Sequence, residues 1–459
     1  PGPPFPTADG RLVEIETLDP EAWKTFWTEL GAAGADLGRA WALFRARYYA
    51  GACSLPPGLR QATARFPLAE LDGIARACRV SLTPVRSYAE VLAEPGWSSG
   101  HPALAELDPA GGMAGGPAPA PSAPAGYDLP LAGIRVVETT TRMQGPLAGL
   151  LLSQLGAEVI KVEPPGGDFG RVVPPAAGDR GSFFSCFNRG KRSVEIDLAR
   201  PEGRRELTEL VAGSDVFLHN WRPGKAAQWG LEAADLARIN PRLVYTEASG
   251  WGDLDRPAAL IGTDFLVQAY AGVADGVCPE GEEAVPSRVL LTDGMGALNT
   301  SEGMLAGLVA REQTGRGWRV STSLFRGAMT LQAHVLEALA AGHETGRRNG
   351  RPRWGPLDRP IDTAEGMLVV GADDGDTRRR LARACAAPAT ATDQEVAGHL
   401  ARGRAPEWEQ ALADAGVPCA ALDPGSDLAA LAADPRLAEL FEPLGGTAVV
   451  PRSPWSFTT

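Results

Sequence analysis

The sequence predicts an α/β protein in which a large, Rossmann-like, doubly wound domain is accompanied by smaller α/β domains. First, strand-like segments alternate with segments of helical periodicity between residues 133 and 250. Second, the intervening helices are about ten residues long, which favours parallel pairing of the strands. Third, a stretch rich in glycine, proline and alanine at residues 109–126 cannot contribute to a core and separates two folded parts of the chain.

The elements of the large domain follow in chain order. Apolar runs predict strands at residues 133–140, 157–163, 193–198, 215–220 and 242–250. Apolar residues at helical spacing predict helices at residues 145–156, 201–214 and 232–240. Ligands of such sheets bind beyond the carboxyl ends of the strands. The predicted site loops are therefore ETTTRMQGP, KVEPPGGD, LHNWRPG and LLTDGMG.

The loop LLTDGMG places one acidic residue, Asp293, between an apolar run and two glycines. Residues 286–292 resemble a short β segment, and residues 297–312 have helical periodicity. Asp293 is thus predicted where a strand gives way to a helix. Asp-Gly is also a common turn pair, and the local pattern alone favours a structural turn.

A faint internal repeat suggests how the smaller domains arose. TADGRLVEIE at residues 7–16 resembles TAEGMLVVGA at 363–372, and ACRVSLTPV at 77–85 resembles DAGVPCAAL at 414–422. Chance similarity is the alternative. We divide the chain into a small α/β module (1–108), a flexible linker (109–127), a large domain (128–335), a connecting segment (336–361), a small α/β domain (362–436) and a return segment to the large domain (437–459).

Composition excludes several classes of function. The net charge of −12 and the lack of a basic block argue against a nucleic-acid partner. No apolar run approaches the length of a membrane span, and the start of the chain lacks the pattern of an export signal. The six scattered cysteines form no CxxC, which indicates reduced thiols in a cytoplasmic protein. The histidines lack metal-ligand spacing, so no metal site is expected.

Two further segments combine cations, amides and an aromatic side chain. In NRGKRSVEIDL and HNWRPGKAAQWGL, Lys191, Arg200 and Arg222 are candidates for phosphate contacts, and Trp221 offers a flat face to a purine. A solvated basic face beside a core tryptophan is the alternative. No GxGxxG, P-loop or GxSxG motif is present, which disfavours a dinucleotide site, an ATP site and a serine hydrolase.

A longer series of motifs carries a family resemblance. LAGIRVVETTTRMQGPLAGLLLSQLGAEVIKVEPPGGD, FFSCFNRGKRSVEIDLARPEGR, NWRPGKAAQWGL, GTDFLVQAYAGVADG and VLLTDGMGALNTSEGMLAGLVARE occur in that order. Over about residues 129–459 the sequence resembles the family III CoA-transferases (CaiB/BaiF type). The first 108 residues are unusual for that family and resemble its small domain, placed ahead of the large one. The resemblance implies an interlocked homodimer, with acyl-CoA and a small carboxylic acid as substrates and no permanently bound cofactor.

The resemblance also implies roles for individual residues. Asp293 lies where the family has its nucleophilic aspartate, which would form an aspartyl anhydride and then an aspartyl-CoA thioester. Gly294 and Gly296 would let the main chain approach closely, and a following helix N-terminus would favour negative charge. Ala199 and Gln228 stand where the family often has basic residues. The implied CoA-contacting residues are Met143, Gln144, Ile196, Arg200, Asn220, Trp221, Arg222, Lys225, Thr263 and Gly294.

Rival functions remain open at this point. A 2-methylacyl-CoA racemase would need a histidine before Asp264, and Thr263 in that place cannot accept a proton near neutral pH. Asp264 is then expected to be a helix cap or a structural carboxylate. Another acyl-CoA lyase or hydrolase activity, or a non-catalytic relative that binds acyl-CoA, is also compatible with the sequence.

Overall fold

The computed structural model describes most of the chain, which forms two compact units. One unit contains Pro1–Cys278, Glu283–Thr345 and Pro443–Thr459, and the other contains Pro279–Glu282 and Gly346–Glu442. The described residues are 2–32, 34–50, 53–93, 105–109, 129–177, 180–252, 261–343, 347–348, 351–422, 432–445, 448–453 and 455.

The N-terminal part of the first unit is a three-stranded antiparallel sheet covered by helices. Its elements are β1 (Phe5–Pro6), β2 (Leu12–Glu16), α1 (Pro20–Glu29), α2 (Gly34–Ala50), α3 (Pro57–Thr63), α4 (Leu68–Ala77), β3 (Ser81–Pro84) and α5 (Tyr88–Leu92). The strand order is β1-β2-β3. Trp23, Phe26 and Trp27 of α1 and Phe44 of α2 are buried together in its core. We call residues 2–93 the N-terminal module.

The large domain contains a seven-stranded sheet. Its elements are β4 (Glu106–Pro109), β5 (Arg135–Thr139), α6 (Gln144–Gln154), β6 (Glu158–Glu163), β7 (Ala176–Ala177), β8 (Arg180–Gly181), α7 (Ser182–Asn188), β9 (Arg192–Glu195), α8 (Pro201–Ala212), β10 (Val216–His219), α9 (Lys225–Trp229), α10 (Ala233–Ala237), β11 (Val244–Ser249), α11 (Asp264–Tyr270), α12 (Val273–Gly276), α13 (Leu291–Thr314), β12 (Trp318–Ser323) and α14 (Leu324–Ala340).

The order of the large sheet is β4-β12-β11-β10-β5-β6-β9, and every pair except β12–β4 is parallel. After the edge strand β4, the chain enters the middle of the sheet at β5, builds one side through β6 and β9, and returns to build the other side through β10, β11 and β12. This confirms the predicted doubly wound, Rossmann-like sheet. Strands β5 and β10 are buried along almost their whole length, as expected for strands covered on both faces.

Two local predictions differ from the structure. The β segment predicted at residues 286–292 is wrong: no strand forms there, and α13 begins at Leu291. Helix formation starts early because the Asp264 carboxylate accepts hydrogen bonds from the free N–H groups of Thr292 and Asp293. The predicted linker begins at Pro109, which is the last residue of β4. Residues 110–127 lie outside the described residues.

The second unit contains another three-stranded antiparallel sheet, with the order β15-β16-β17. Its elements are β13 (Arg347–Arg348), β14 (Arg351–Pro352), β15 (Ile361–Asp362), β16 (Met367–Val370), α15 (Gly375–Ala384), α16 (Asp393–Leu400), α17 (Ala405–Asp414) and β17 (Cys419–Leu422). Near the end of the chain, β18 (Phe441–Gly445) pairs with β19 (Ala448–Pro451). In the ranges that the structure describes, no helix combines the length and apolarity needed to cross a bilayer.

The turns before β2 and β16 each contain a threonine whose hydroxyl bonds to a nearby backbone carbonyl and a glycine with positive φ, although the accepting carbonyl lies four residues on in the first turn and three in the second. The hydroxyl of Thr7 donates to the Arg11 carbonyl, and that of Thr363 donates to the Gly366 carbonyl. Gly10 and Gly366 both have positive φ, at 76° and 81°. These shared features add to the sequence similarity, and we propose that the two sheets are copies of one module.

The N-terminal module packs on the large domain through α11 and the loop before it. The Arg86 N–H donates to the Ala269 carbonyl at 2.9 Å, and the Ser81 hydroxyl accepts from the Ile261 N–H at 3.0 Å. The Tyr48 ring lies 5.0 Å from the Phe265 ring. This packing holds the module beside Asp264, the first residue of α11.

Candidate functional site

A cavity of about 910 Å³ lies at the carboxyl ends of the parallel strands. The loops that follow β5 and β10 line it, so it sits where the winding of the sheet reverses. The loop after β11, the starts of α11 and α13, and several residues between β6 and β9, including Asp168 and Phe184, also line it. The cavity lies within the size range of small-molecule sites. Its large-domain lining includes Arg142, Met143, Gln144, Asn220, Trp221, Arg222, Trp251, Thr263, Asp264 and Asp293.

Asp293 lies in the first turn of α13 and lines this cavity. Its carboxylate accepts a hydrogen bond from the backbone N–H of Gln144, the first residue of α6. Two helix N-termini are therefore close to this carboxylate, and both favour negative charge. Gly296 lets α13 lie close to the side chains of Gln144 and Leu324, because a Cβ at this position would be only 3.0 Å from both of them.

The electrostatic environment raises the pKa of Asp293 to about 8. Burial is the main cause, and the neighbouring Asp264 carboxylate adds to it. Arg142 and the Gln144 N–H act in the opposite direction and lower the pKa of Asp293, but they offset only part of the increase. A carboxylate with a raised pKa is more basic than an ordinary one, and such perturbation is typical of functional sites.

Asp264 has a different role, although it lies beside Asp293. Its buried side chain accepts hydrogen bonds from the Thr292 N–H, the Asp293 N–H, the Thr292 hydroxyl and the Gln268 amide. The carboxylate thus caps α13 and fixes the first turn that carries Asp293. With its oxygens occupied in this way, Asp264 is the structural carboxylate that the sequence leads us to expect.

Two buried polar atoms beside Asp293 have no hydrogen-bond partner within the described residues. They are Nε2 of Gln144 and Oγ1 of Thr263, and both residues line the cavity. Unpaired buried donors are rare in folded proteins. A bound substrate oxygen would satisfy the Gln144 amide, which makes this residue a candidate for stabilising a developing oxyanion.

A buried charged cluster supports the loop after β5. The Lys191 Nζ contacts both Glu138 carboxylate oxygens at 2.9 Å, and the Lys161 Nζ donates to the Thr140 carbonyl at 2.6 Å. Lys161 also lies 3.3 Å from Asp168. The proposed contact of Lys191 with a phosphate is therefore wrong, because its ammonium group is buried against Glu138. Burial lowers the pKa of Lys191 to about 8.

Three of the residues expected to contact CoA are held together at the cavity. The Asn220 amide pairs with both backbone groups of Thr141, which ties the loop after β10 to the loop after β5. Trp221 stacks on His219, with ring centroids 4.6 Å apart. Arg222 lines the cavity and forms no ion pair within the described part of the chain. Met143, the residue before α6, also lines it.

The structure does not bring the other four predicted residues to the lining. Ile196 is buried in the core, packed with Val162 and Leu207 among others. The Arg200 side chain is exposed and pairs with Asp197 at 3.1 Å. The Lys225 Nζ donates to Gln228 at 3.0 Å and lies 4.4 Å from the centre of the Trp229 ring. Gly294 is not among the lining residues, and outside its own helix backbone and chain neighbours no heavy atom of the described residues lies within 4 Å of where a Cβ would stand.

Sequence reasoning missed four arginine or tyrosine residues of the lining. Arg142 directly precedes the predicted Met143–Gln144 pair, and Arg45, Tyr48 and Arg79 come from the N-terminal module. Arg142 and Arg79 have positive φ angles of 70° and 57°, and no local sequence motif predicts this backbone conformation. One signal was available: the repeat aligns Arg79 with Gly416, a residue type suited to positive φ. Within the described residues, no group of acidic, histidine or cysteine side chains could hold a metal ion.

Comparison with protein families and solved structures gives consistent results. The model of CoA-transferase family III matches residues 131–458. The acetyl-CoA:oxalate CoA-transferase of Acetobacter aceti is 34% identical over 269 residues, covering 58% of this chain and 69% of that protein. The succinyl-CoA:glutarate CoA-transferase of Mus musculus is 34% identical over 251 residues, covering 53% and 56%. The alignments thus span between about half and two thirds of these relatives.

Solved structures agree on the fold. A CAIB/BAIF family protein from Brucella suis superposes with a TM-score of 0.63 at 26% identity, covering 72% of this chain and 93% of that one. The Rv3272 protein of Mycobacterium tuberculosis gives a TM-score of 0.61 at 28% identity, covering 72% and 94%. The family model begins at residue 131, so the N-terminal module lies outside the matched region.

Proposed function

Because the chain belongs to CoA-transferase family III, we propose that it moves CoA from an acyl-CoA to a carboxylic acid through covalent intermediates on Asp293. One observation carries the proposal: a carboxylate with a raised pKa lines a large cavity at the point where a Rossmann-like sheet binds ligands. The relatives named above transfer CoA between carboxylic acids, as their names state.

The first half of the reaction releases the donor acid. An Asp293 oxygen attacks the thioester carbonyl carbon, the C–S bond breaks, and a mixed anhydride and CoA thiolate result. The thiolate then attacks the aspartyl carbonyl of the anhydride. This yields an aspartyl-CoA thioester and releases the donor acid as a carboxylate. The Gln144 amide and helix N-termini are placed to stabilise the oxyanions of both steps.

The second half reverses these steps with the acceptor. An acceptor carboxylate attacks the aspartyl-CoA carbonyl, which expels CoA thiolate and forms a second anhydride. The thiolate attacks the acceptor's acyl carbon in that anhydride, giving the new acyl-CoA and restoring the Asp293 carboxylate. No water takes part in this cycle. The cavity must therefore limit water around the anhydride, since hydrolysis would release both acids.

The geometry argues against a two-base racemase. Thr263 supplies no base, and four hydrogen bonds occupy the Asp264 carboxylate. We further propose, from the family resemblance, that the protein is a cytoplasmic homodimer without a permanently bound cofactor. Light scattering on the purified protein would test the dimer.

The test of the mechanism is intact-mass spectrometry after mixing the protein with a panel of acyl-CoAs, followed by hydroxylamine. We expect a hydroxamate mass shift that peptide mapping assigns to Asp293. The Asp293→Asn variant should show no shift. The Glu302→Gln variant is the matched control, because it removes an exposed carboxylate from the same helix. Transfer activity without any adduct on Asp293 would refute the covalent route, and CoA binding without adduct or turnover would favour a non-catalytic relative.

A further inference from the structure

The N-terminal module supplies one side of the cavity that contains Asp293. Thr17, Arg45, Tyr48, Arg79 and Ser81 of the module line it. None of these residues falls within the region matched by the family model, which starts at residue 131. The module therefore adds side chains to the site that family membership does not explain.

Arg79 has a backbone conformation that favours glycine. Its φ is 57°, it follows the end of α4, and the repeat aligns it with Gly416, which has a φ of 68° after α17. A side chain in this left-handed region costs about 1 kcal/mol or more. The N-terminal copy has an arginine at this unfavourable position, and that arginine lines the cavity. Such an outlier at a cavity points to a functional requirement for the side chain.

Arg45 lies on a firmly held helix. It is three residues before Tyr48 on α2, so the two side chains share one helix face. The Tyr48 hydroxyl donates to Glu16, and its ring packs against Phe265 of the large domain. Arg47, the residue before Tyr48, is buried in an ion pair with Glu16 at 2.8 Å. These contacts fix the part of α2 that carries Arg45, whose side chain lines the cavity.

Apart from the reacting Asp293, the acidic residues of the lining already have hydrogen-bond or ion-pair partners, whereas, in the part of the chain that the structure describes, two of its arginines, Arg45 and Arg79, have no carboxylate partner. Asp19 accepts from the Glu21 N–H, Asp168 contacts Lys161, and Asp264 caps α13. Within the described residues, Arg45 and Arg79 form no ion pair with any carboxylate. Two unneutralised guanidinium groups on one side of the cavity form a binding surface for an anion.

We propose that Arg45 and Arg79 bind the second carboxylate of a dicarboxylic acid whose first carboxyl group reacts at Asp293. This inference rests on the proposed function, since it names the substrate class of the same site. We assign the acid rather than the CoA phosphates to these arginines because Arg222 and Trp221, the expected CoA contacts, lie on the loop after β10. The module would thus determine the acid specificity of the enzyme.

Binding and turnover are measured separately to test this. Calorimetry compares the binding of free glutarate, its monomethyl ester and CoA to the wild-type protein and to Arg79→Gly, Arg79→Asn and Arg45→Gln. Glycine and asparagine both tolerate positive φ, so these variants remove the charge without adding strain. Arg76→Gln is the matched control: this exposed arginine of α4 pairs with Asp72 and is not among the residues that line the cavity. The rate of CoA transfer from glutaryl-CoA to acetate is measured on the same proteins.

We expect glutarate to bind the wild-type protein at least tenfold more tightly than its ester, and each Arg79 or Arg45 variant to lose about tenfold or more of that affinity. CoA binding should change less than threefold. Equal binding of glutarate and ester, or unchanged glutarate binding in the variants, would overturn the inference. A selective loss of CoA affinity would overturn it in favour of phosphate contacts. Arginine-dependent glutarate binding without any CoA transfer would support the inference and refute the proposed function.

Discussion

The raised pKa of Asp293 predicts a steep dependence of the transfer rate on pH. Only the ionised carboxylate can attack a thioester, so the rate constant kcat/KM should follow the ionised fraction. With a pKa of about 8, about one molecule in eleven is ionised at pH 7 and about ten in eleven at pH 9. We therefore expect kcat/KM to rise about tenfold from pH 7 to pH 9, with a midpoint near pH 8.

The Arg142→Gln variant tests the cause of this midpoint. Arg142 lowers the pKa of Asp293, so removing its charge should move the midpoint to higher pH and reduce the rate at pH 7. The Arg142→Lys variant keeps the charge and should move the midpoint less. The assay is the initial rate of thioester transfer at limiting acyl-CoA, corrected at each pH for spontaneous hydrolysis without enzyme. A flat profile between pH 6 and pH 9, or the same midpoint in wild type and Arg142→Gln, would refute the reasoning.

Three further predictions follow from the same geometry. Because folding holds the pKa of Asp293 above its ordinary value, the protein should lose stability as the pH rises from about 4 to 8. The Tm of Asp293→Asn should therefore exceed that of wild type by an amount that grows over this pH range. A difference in Tm that stays constant with pH in scanning calorimetry would contradict this prediction. Replacing Glu138 by Gln leaves Lys191 poorly paired in the interior, so we expect a lower Tm, whereas Glu302→Gln should leave it unchanged. If the indole of Trp221 stacks on the adenine ring of CoA, Trp221→Ala should weaken CoA binding in calorimetry by about tenfold. An unchanged Kd for CoA would show that Trp221 does not contact CoA.

The sequence was most informative about the large sheet. The parallel, doubly wound character of this sheet could be inferred because buried parallel strands are continuous apolar runs, separated by helices long enough for a crossover. The same rule identified the loops after β5 and β10 as site loops, since the carboxyl ends of neighbouring parallel strands meet at one edge. Asn220 illustrates the benefit: its amide joins these two loops, although Thr141 lies 79 residues away.

Residues 286–292 show where local patterns failed. Their β-branched and apolar residues resemble a strand, but the helix begins at Leu291 because a carboxylate 27 residues earlier, Asp264, caps it. A cap supplied by tertiary structure leaves no local signal. The same limit applies to Ile196 and Arg200, which the family resemblance assigned to the CoA site. The Ile196 side chain packs in the core, and the Arg200 side chain pairs with Asp197 at the surface.

The contribution of the N-terminal module was hidden for a further reason. A repeat reveals that two segments share a fold, but it does not reveal on which part of the molecule either copy packs. That depends on contacts such as Tyr48 against Phe265 and the Arg86 N–H to Ala269, which join segments more than 180 residues apart. The difference between Arg79 and Gly416 becomes informative only once the packing places Arg79 at the cavity.

Asp293 and Asp264 together explain how one site can hold a nucleophile of unusual basicity. Asp264 is surrounded by donors that suit a charged carboxylate, and its position fixes the first turn of α13. Its presence also raises the pKa of Asp293, which has few such donors.

A more basic carboxylate is a better nucleophile once ionised, but fewer molecules are ionised at neutral pH. Arg142 offsets that loss by favouring the ionised form. It does so from a strained backbone conformation beside the nucleophile, with a φ of 70°. Burial raises the pKa of Asp293 most, and the opposing charges of Asp264 and Arg142 adjust it further. Removing the charge of Asp264 should therefore lower the midpoint of the pH profile, and removing that of Arg142 should raise it.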